Sequence, residues 1–423
     1  MSNKEFDIII FGATSFVGKI LCDYLVNEHI EPNLSWAMAA RSELKLGELK
    51  EALGDNARQI PVIVADSANE ESLQDMCHRT ELIISTVGPY ALYGELLLKT
   101  CAETGTDYCD LTGEPQWIKR MIDRYQSAAQ ASGARIVNSC GFDSIPSDLG
   151  VKFLQQQAMQ RFGSYCSRVK MRVKAMKGGA SGGTIASGLN LYKEASRDPE
   201  LRKEMEDFYS LCPAGHSFTV QQHDVTVEYD TDFDAWAAPF IMASINTRIV
   251  LRSNALVAGH YSDEFQYDEA MLTGSGRKGE KAAKRLARGT RLMAVVLGVA
   301  PMRWLASRFL PKPGQGPSLQ QQRNGSYHLA FVGHTDQGEE ICIELTGDRD
   351  PGYGSTAKML AHAGISLRRD VDKGEVGGGF WTPATAFNDK LVERLHEYAG
   401  MKFELQSISG PAAITGDATQ SSG

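Results

Sequence analysis

A short turn near the N-terminus combines the residue types and the spacing that bind an anion. The apolar run from Phe6 to Phe11 has the length and the β-branched content of a buried strand. A segment with glycine at both ends follows at once: Gly12-Ala13-Thr14-Ser15-Phe16-Val17-Gly18. From Val17 to Leu25, apolar residues then recur at helical spacing.

A glycine turn between a strand and a helix brings backbone N–H groups and the positive end of the helix dipole to a pyrophosphate. The same kind of turn also occurs in α/β proteins that bind no nucleotide. The pattern predicts a dinucleotide site, whose phosphate contacts come from Gly12, Thr14, Ser15, Phe16 and Val17.

A basic residue after the second predicted strand indicates which dinucleotide binds. Residues 34–40 form that strand, and Arg41 and Ser42 follow it. An acidic residue there would bind the ribose 2′-hydroxyl of NAD, whereas an arginine beside a hydroxyl group suits the 2′-phosphate of NADP. We therefore predict NADP(H), held by Arg41 and Ser42. The alternative is that Arg41 is an ordinary solvated loop residue.

Two further strands end where the rest of the dinucleotide would lie. Asp66 follows a predicted third strand and can accept a hydrogen bond from the adenine amino group, or it can cap the helix that begins after Asn69. The fourth predicted strand covers residues 82–87. The carboxyl ends of parallel strands share one edge, so we predict nicotinamide contacts from four residues at that edge: Thr86, Val87, Gly88 and Pro89.

The elements that carry these residues alternate as in a doubly wound fold. Strand-like and helix-like segments alternate over residues 1–150, which predicts an α/β Rossmann domain with a parallel sheet. Short alternating segments at 167–174, 219–229 and 327–345 predict a second, α+β domain with a mixed or antiparallel sheet. We assign this domain to 151–375 and expect it to supply substrate contacts and the interface of any homodimer. A C-terminal helix within 376–405 would return to the first domain, and a disordered tail would cover 406–423.

Two segments of the second domain have unusual composition. The glycine-rich residues 178–184 can cradle a substrate carboxylate or phosphopantetheine phosphate, or simply connect two elements. Residues 277–312 hold ten basic residues, one acidic residue and an apolar run from Leu292 to Ala300. That run is too short to cross a bilayer, which takes about 20 residues. We expect a contact with a membrane surface or an acidic carrier protein; the alternative is a solvated helix leading into the core.

Overall composition excludes several classes of function. The chain has 423 residues, enough for two or three domains, and its net charge of -8 argues against nucleic acid as a partner. Its eight cysteines have no C-x-x-C spacing and its nine histidines no H-E-x-x-H spacing, so we predict reduced thiols and no metal site. No apolar leader precedes the first strand, which favours a cytoplasmic protein.

Seven motifs are spread over nearly the whole chain. They lie at 12–18, 40–46, 86–95, 110–114, 140–148, 181–184 and 382–384, and include Asp110-Leu111-Thr112-Gly113-Glu114 and Cys140-Gly141-Phe142-Asp143-Ser144-Ile145-Pro146. Together they resemble the saccharopine-dehydrogenase-like family, and more closely its trans-acting enoyl reductase branch, although Ser15 replaces the usual middle glycine. The resemblance implies an NADP-dependent oxidoreductase that reduces a carbon–carbon double bond in a fatty acyl or polyketide chain held by a separate synthase, in lipid or glycolipid biosynthesis.

That reaction needs a proton donor beside the nicotinamide. Tyr90 is our first candidate, as proton donor or partner of the thioester carbonyl, because its phenol follows the fourth strand; Asp143 is the second, in a loop at the same edge. Alternatively, Tyr90 packs over the nicotinamide ring and Asp143 caps the helix that begins near Ser147. Two other functions remain open: an imine-reducing enzyme of the saccharopine dehydrogenase type, and a non-catalytic NADP-binding protein at a membrane or lipid surface.

Overall fold

Two seven-stranded sheets organise the chain. The computed structural model describes residues 4–28, 31, 33–178, 182–257, 261–306, 308, 314, 316–387 and 389–410. The strands are β1 (Phe6–Phe11), β2 (Trp36–Ala40), β3 (Val62–Val64), β4 (Thr80–Ser85), β5 (Asp107–Asp110), β6 (Arg135–Val137), β7 (Arg168–Lys177), β8 (Glu228–Asp230), β9 (Ala235–Pro239), β10 (Gln266–Leu272), β11 (Ser326–His334), β12 (Glu340–Gly347), β13 (Gly379–Trp381) and β14 (Met401–Ser409).

The helices connect these strands and cover the faces of both sheets. They are α1 (Phe16–Asn27), α2 (Glu43–Leu53), α3 (Glu70–His78), α4 (Tyr90–Tyr93), α5 (Glu95–Thr104), α6 (Pro115–Ser132), α7 (Ile145–Phe162), α8 (Gly182–Ala195), α9 (Pro199–Glu206), α10 (Ala243–Leu256), α11 (Gly276–Gly298), α12 (Ala300–Ala306), α13 (Leu319–Arg323), α14 (Thr356–Arg369), α15 (Pro383–Ala386) and α16 (Lys390–Tyr398).

The first sheet is parallel and has the strand order β13-β6-β5-β4-β1-β2-β3. Successive β1 side chains enter opposite cores: Ile8 and Ile10 pack in the cluster that contains α1, α2 and α14, whereas Ile9 packs in the cluster of α3, α5 and α6. A strand buried on both faces explains why the first apolar run shows no polar alternation. The predicted doubly wound α/β fold is confirmed.

The second sheet is mixed, with the order β14-β12-β11-β7-β10-β9-β8. β7 and β10 pair in parallel, and the other neighbours are antiparallel. Helix α7 packs closely on it: a Cβ atom at Gly150 would lie 2.4 Å from the ring of Phe331. The predicted mixed sheet is confirmed, but the predicted strand at 219–229 is wrong except for its last two residues, since only β8, from Glu228, forms a strand there.

The chain crosses between the sheets more often than the predicted boundaries allow. Helix α7 begins before residue 151 and already packs on β11 and β12. Helix α14 and strand β13 come from the far end of the sequence, yet α14 packs on β1, β4 and β5, and β13 extends the first sheet beside β6. Strand β14 pairs with β12 as far as Ser409, so the predicted start of a disordered tail at 406 is wrong; residues 411–423 lie outside the described ranges.

The predicted C-terminal helix is α16, which begins at Lys390 and is preceded by the short helix α15. Arg394 of α16 pairs with Asp370 at the end of α14 and donates to Glu31 at 3.0 Å, just beyond α1. The hydroxyl group of Tyr24 in α1 donates to the backbone carbonyl of Tyr398 at 3.1 Å. These contacts fix α16 against α1 and α14, which cover one face of the first sheet.

Candidate functional site

The turn after β1 is held by a close backbone approach. Gly12 has a φ of 88°, and a Cβ atom there would lie 2.7 Å from both Thr86 Oγ1 and Val87 Cγ2. The Thr86 hydroxyl donates to the carbonyl of Gly12 at 2.9 Å, so the Ser15 hydroxyl donates to Thr86 Oγ1 across the other 2.9 Å contact. Gly12 and Thr86 therefore join the ends of β1 and β4 with no room for a side chain between them.

Ser15 is the N-cap of α1, and this role accounts for a serine in place of the middle glycine that the resemblance leads one to expect. Its Oγ accepts from the N–H of Gly18 at 2.9 Å. Within the described part of the chain, the N–H groups of Thr14, Phe16 and Val17 have no protein acceptor. Three free donors at a helix N-terminus, beside a glycine without a Cβ, fit the pyrophosphate of a dinucleotide.

The Phe16 side chain has a structural role. Its ring meets Tyr353 edge to face at 5.1 Å, and a Cβ atom at Gly316 would lie 2.4 Å from it. Only the backbone of Phe16 therefore points to the proposed phosphate site.

The end of β2 lies directly beside this turn. The N–H groups of Gly12 and Ala13 both donate to the Ala39 carbonyl, at 2.9 and 3.1 Å. Arg41 follows, exposed and without an ion-pair or hydrogen-bond partner among the residues whose positions are described. Ser42 caps α2 by accepting from the N–H of Lys45 at 3.3 Å, which leaves its hydroxyl proton available. Arg41, Ser42 and Lys45 thus present donors and positive charge next to the dinucleotide turn.

Asp66 lies at the edge of the sheet, after β3. Its carboxylate accepts from the N–H of Ala68 at 3.0 Å, while Asn69 caps α3 by accepting from Ser72. The alternative interpretation of Asp66 as the helix cap is therefore wrong. Among the described residues this is its one donor, which leaves three of the four lone-pair positions of the carboxylate for another.

The residues after β4 differ in their exposure to solvent. Gly88 is exposed at the carboxyl edge, Val87 is partly exposed, and Thr86 and Pro89 are buried. Thr86 and Val87 contact Gly12, as described, and Pro89 precedes the first turn of α4. Of the four predicted nicotinamide contacts, Gly88 and Val87 are the accessible ones.

The structure contradicts the predicted catalytic role of Tyr90. Its hydroxyl donates to the Ser85 carbonyl at 2.9 Å and accepts from the N–H of Leu111 at 3.4 Å, and its ring packs against Trp117 in the core. Burial raises the pKa of the phenol well above its usual value. The single proton is committed to a backbone carbonyl, so it is not available to a substrate.

Asp143 occupies a different environment. It lies partly exposed in the loop after β6, with its Oδ1 3.2 Å from the point where a Cβ of Gly113 would be. Burial, with a contribution from the charge of Asp110, raises the pKa of Asp143 to about 7. Helix α7 receives no side-chain cap, so the alternative role of Asp143 as a helix cap is also wrong. A carboxyl group that keeps its proton near neutral pH can act as a general acid.

Asp110 holds the surrounding loops in place. Its carboxylate accepts from Asn138 Nδ2 at 2.8 Å and from the N–H groups of Thr112 and Ser139 at 3.1 and 3.0 Å. Burial raises its pKa to about 6 despite these bonds. Asp110 therefore fastens the loop after β5 to the loop that carries Asp143.

Glu114 is a buried residue that the sequence did not single out for a role of its own. It accepts from the N–H groups of Tyr90 and Ala91 at 2.9 and 3.0 Å, and from the hydroxyl of Ser187 in α8 at 2.7 Å. The carboxylate of Glu114 thus caps α4 and also links α8, from the predicted second domain, to the edge of the first sheet. Because its partners are far away in sequence, no local pattern identifies it.

A second buried network supports the Asp143 loop from the other side. Asn246 in α10 has its Oδ1 3.1 Å from Ser144 Oγ, and its Nδ2 donates to Glu269 at 2.9 Å. Tyr267 donates to the other oxygen of Glu269 at 2.7 Å. Burial raises the pKa of Glu269. The position of Asp143 therefore depends on elements of both sheets.

The predicted glycine-rich segment at 178–184 is only partly within the described ranges. Residues 179–181 of the glycine-rich segment lie outside the described ranges, and Gly178 packs against Pro351. Within the described ranges, no group of three or more His, Cys, Asp or Glu side chains is placed to hold a metal ion.

Comparison with known proteins identifies the family. The domain family described as "Saccharopine dehydrogenase NADP binding domain" matches residues 8–137. A Mycobacterium tuberculosis protein is 38% identical over 410 residues, covering 93% of this chain and 96% of its own. Another M. tuberculosis protein, named trans-acting enoyl reductase, is 36% identical over 408 residues with the same coverage. The chain belongs to the trans-acting enoyl reductase family.

This assignment confirms the predicted saccharopine-dehydrogenase-like family and the N-terminal NADP-binding domain; the protein is an NADP-dependent oxidoreductase. A trans-acting enoyl reductase of Mycobacterium ulcerans is 34% identical and has the same coverage. The fold is also that of a saccharopine dehydrogenase (L-Glu forming) from Saccharomyces cerevisiae: the TM-score is 0.51, with 12% identity, over 95% of this chain and all of the other.

Proposed function

We propose that this protein reduces a carbon–carbon double bond in a fatty acyl or polyketide chain held by a separate synthase, with NADPH as the reductant. The relatives named trans-acting enoyl reductase support the reaction, and the acyl or polyketide chain is the substrate that the family resemblance implies. The single structural observation that carries the proposal is the partly exposed carboxyl group of Asp143 at the carboxyl edge of the first sheet, where burial raises its pKa to about 7. Reduction of an enoyl thioester requires one proton donor at that place.

The residues described above fit the cofactor. The N–H groups of Thr14, Phe16 and Val17 would hold the pyrophosphate, Arg41, Ser42 and Lys45 the 2′-phosphate, and Asp66 the adenine. NADPH, when bound, supplies the hydride for the β-carbon of the enoyl thioester. Val87 and Gly88 would contact the nicotinamide end.

Asp143 provides the proton in this proposal. Its pKa of about 7 leaves a substantial protonated fraction at neutral pH, and the residue is partly exposed. It donates to the α-carbon, either directly or through the thioester oxygen. Asp110 and Asn246 position its loop, so the acid is held by both sheets.

The test follows NADPH oxidation with a panel of enoyl thioesters of increasing chain length. Asp143→Asn should reduce kcat by about 100-fold or more, since general acid catalysis contributes about 10²–10⁴. Tyr90→Phe is the matched control: it loses one bond to a backbone carbonyl and should keep most of the rate. Loss of turnover in Tyr90→Phe with retained turnover in Asp143→Asn would refute the assignment, and no oxidation with any thioester would refute the substrate class.

An imine-reducing function of the saccharopine dehydrogenase type is supported by likeness of fold alone. Lysine with 2-oxoglutarate belongs in the same panel, and NADPH oxidation there would favour that alternative. We also infer a cytoplasmic location, which the eight free thiols support.

A further inference from the structure

Helix α11 packs most deeply near its N-terminal end. Its buried residues are Gly279 and Ala283, both in its first half, and a Cβ atom at Gly279 would lie 3.3 Å from Trp236 of β9. Its second half exposes large apolar side chains: Leu292 is 64% exposed and Val295 51%. Helix α12 continues this surface, with Met302 and Trp304 at 49% and 59%. Large apolar side chains concentrated on one exposed segment mark a binding surface.

The exposed side of α11 forms one continuous stripe of two halves. Its residues are separated by three, four or seven positions and so share one helical face: Arg277, Lys281, Arg288, Leu292, Val295 and Val299, the last of which is the capping residue just beyond the end of α11. The first half of the stripe is basic and the second half is apolar. The apolar half extends for about 10 Å of helix.

Two arginine side chains lie beside the apolar half. The Arg308 guanidinium lies 3.9 Å from the ring centroid of Trp304, and Arg303 donates to the carbonyl of Leu297 at 2.6 Å. Arginine over tryptophan places a cation and an amphipathic ring at the same level, which suits the boundary between lipid headgroups and acyl chains.

The charge distribution of the whole chain distinguishes this segment from the rest. Residues 277–312 carry a formal charge of about +9, which leaves about -17 on the remainder of a chain whose net charge is -8. An anionic surface would therefore attract this face and repel the others. No helix in the described ranges has both the length and the hydropathy needed to cross a bilayer, so such a contact lies at the surface.

We propose that α11 and α12 dock the protein on a membrane that contains anionic lipids. The basic half of the stripe lies over lipid phosphates, and Leu292, Val295, Val299, Met302 and Trp304 enter the boundary of the acyl chains. A stripe with its basic and apolar parts in succession along one helix matches the depth profile of a bilayer.

The docking surface is connected to the candidate site. Helix α8 packs on α11, and Ser187 of α8 donates to Glu114 at the sheet edge. If the proposed function holds, docking brings the site close to acyl chains at the membrane. The docking itself does not depend on the reaction, because its test measures binding alone.

The test uses the full-length protein and vesicles of phosphatidylcholine, with or without phosphatidylglycerol. Trp304 provides the signal: it is 59% exposed, so its fluorescence should shift to shorter wavelength on binding and be quenched by brominated lipid. Cosedimentation gives the affinity. We expect binding to the anionic vesicles, weakened by added salt.

Matched variants separate the two halves of the stripe. Each unit of charge near an anionic membrane is worth about fivefold in affinity, so Arg288→Glu should weaken binding by about 25-fold. Leu292→Ser should weaken it by about 10-fold or more. The controls are Arg161→Glu and Met159→Ser, at two exposed positions on α7. Each should change the affinity for anionic vesicles by less than 3-fold, because screening by salt weakens the effect of a charge that lies far from the membrane.

Three results would overturn the proposal. The first is no binding to either type of vesicle. The second is equal weakening by the α7 and α11 variants. The third is an acidic acyl carrier protein that binds through Arg288 and Leu292 while vesicles do not bind, because this would make the surface a protein-docking site.

Discussion

Substitution of Gly12 tests the close contact on which the dinucleotide turn depends. In Gly12→Ala the new methyl group would lie 2.7 Å from Thr86 Oγ1 and from Val87 Cγ2, at a φ of 88°. The left-handed backbone costs about 1–2 kcal/mol for a residue with a Cβ, and overpacking against two fixed neighbours adds about 1–3 kcal/mol. We expect a loss of about 2–5 kcal/mol in the free energy of unfolding.

Gly133→Ala is the matched control for this substitution. Gly133 has a φ of 80°, and a Cβ atom there would have no neighbour within 4 Å. Gly133→Ala should therefore lower the free energy of unfolding only by the backbone contribution, about 1–2 kcal/mol. Urea unfolding measures both losses, and calorimetric titration with NADPH should show weaker binding for Gly12→Ala alone, because Thr86 and Val87 must move. Equal losses of stability with unchanged NADPH affinity would refute the reasoning.

Three further predictions concern the cofactor, the acid and the link between the sheets. Arg41→Ala should weaken NADPH binding by about 10- to 100-fold and leave NADH binding unchanged, since one charge-assisted contact to the 2′-phosphate is worth about 1.5–3 kcal/mol; titration of both cofactors measures this. The wild-type kcat should fall as the pH rises through about 7, because Asp143 must be protonated, and Asp143→Asn should remove that limb of the pH profile. Glu114→Gln should lower the free energy of unfolding by about 1.5–3 kcal/mol, because an amide has one acceptor oxygen for three donors; urea unfolding measures the loss.

Each of these predictions has its own control or contrary result. Arg58→Ala removes an exposed arginine paired with Asp55 and should leave NADPH affinity unchanged; an equal effect at Arg41 and Arg58 would rule out the 2′-phosphate contact. A pH profile unaltered by Asp143→Asn would assign the titration to another group. Glu114→Gln with wild-type stability would show that the link to Ser187 does not stabilise the fold.

The raised pKa of Asp143 also predicts how stability depends on pH. The folded protein binds this proton up to about pH 7, whereas an unfolded aspartate releases it near its ordinary value of 3.8. The contribution of Asp143 is therefore fully present at low pH and is lost as the pH rises through about 7. As the pH rises from 3.8 to about 7, Asp143→Asn should therefore lose less stability than the wild-type protein. Urea unfolding at several pH values measures this difference.

The sequence alone determined the first strand, the turn and the helix after it. These depend on contacts between residues close in the chain: the apolar run of β1, the positive φ of Gly12, and a serine that caps α1. The position of Arg41 follows from the same local pattern, since it comes directly after β2. Family motifs also indicated NADP, because they include both the turn and Arg41.

Only the tertiary structure decided which side chains are accessible at the carboxyl edge of the first sheet. Tyr90 and Asp143 both follow a strand at the same sheet edge, but the Tyr90 hydroxyl turns inward to Ser85, while Asp143 stays partly exposed. Glu114 finds Ser187, and β13 joins β6, across separations that no local spacing encodes. Local patterns fix backbone conformation, whereas the direction of a side chain and the partners of a buried charge depend on how distant segments pack together.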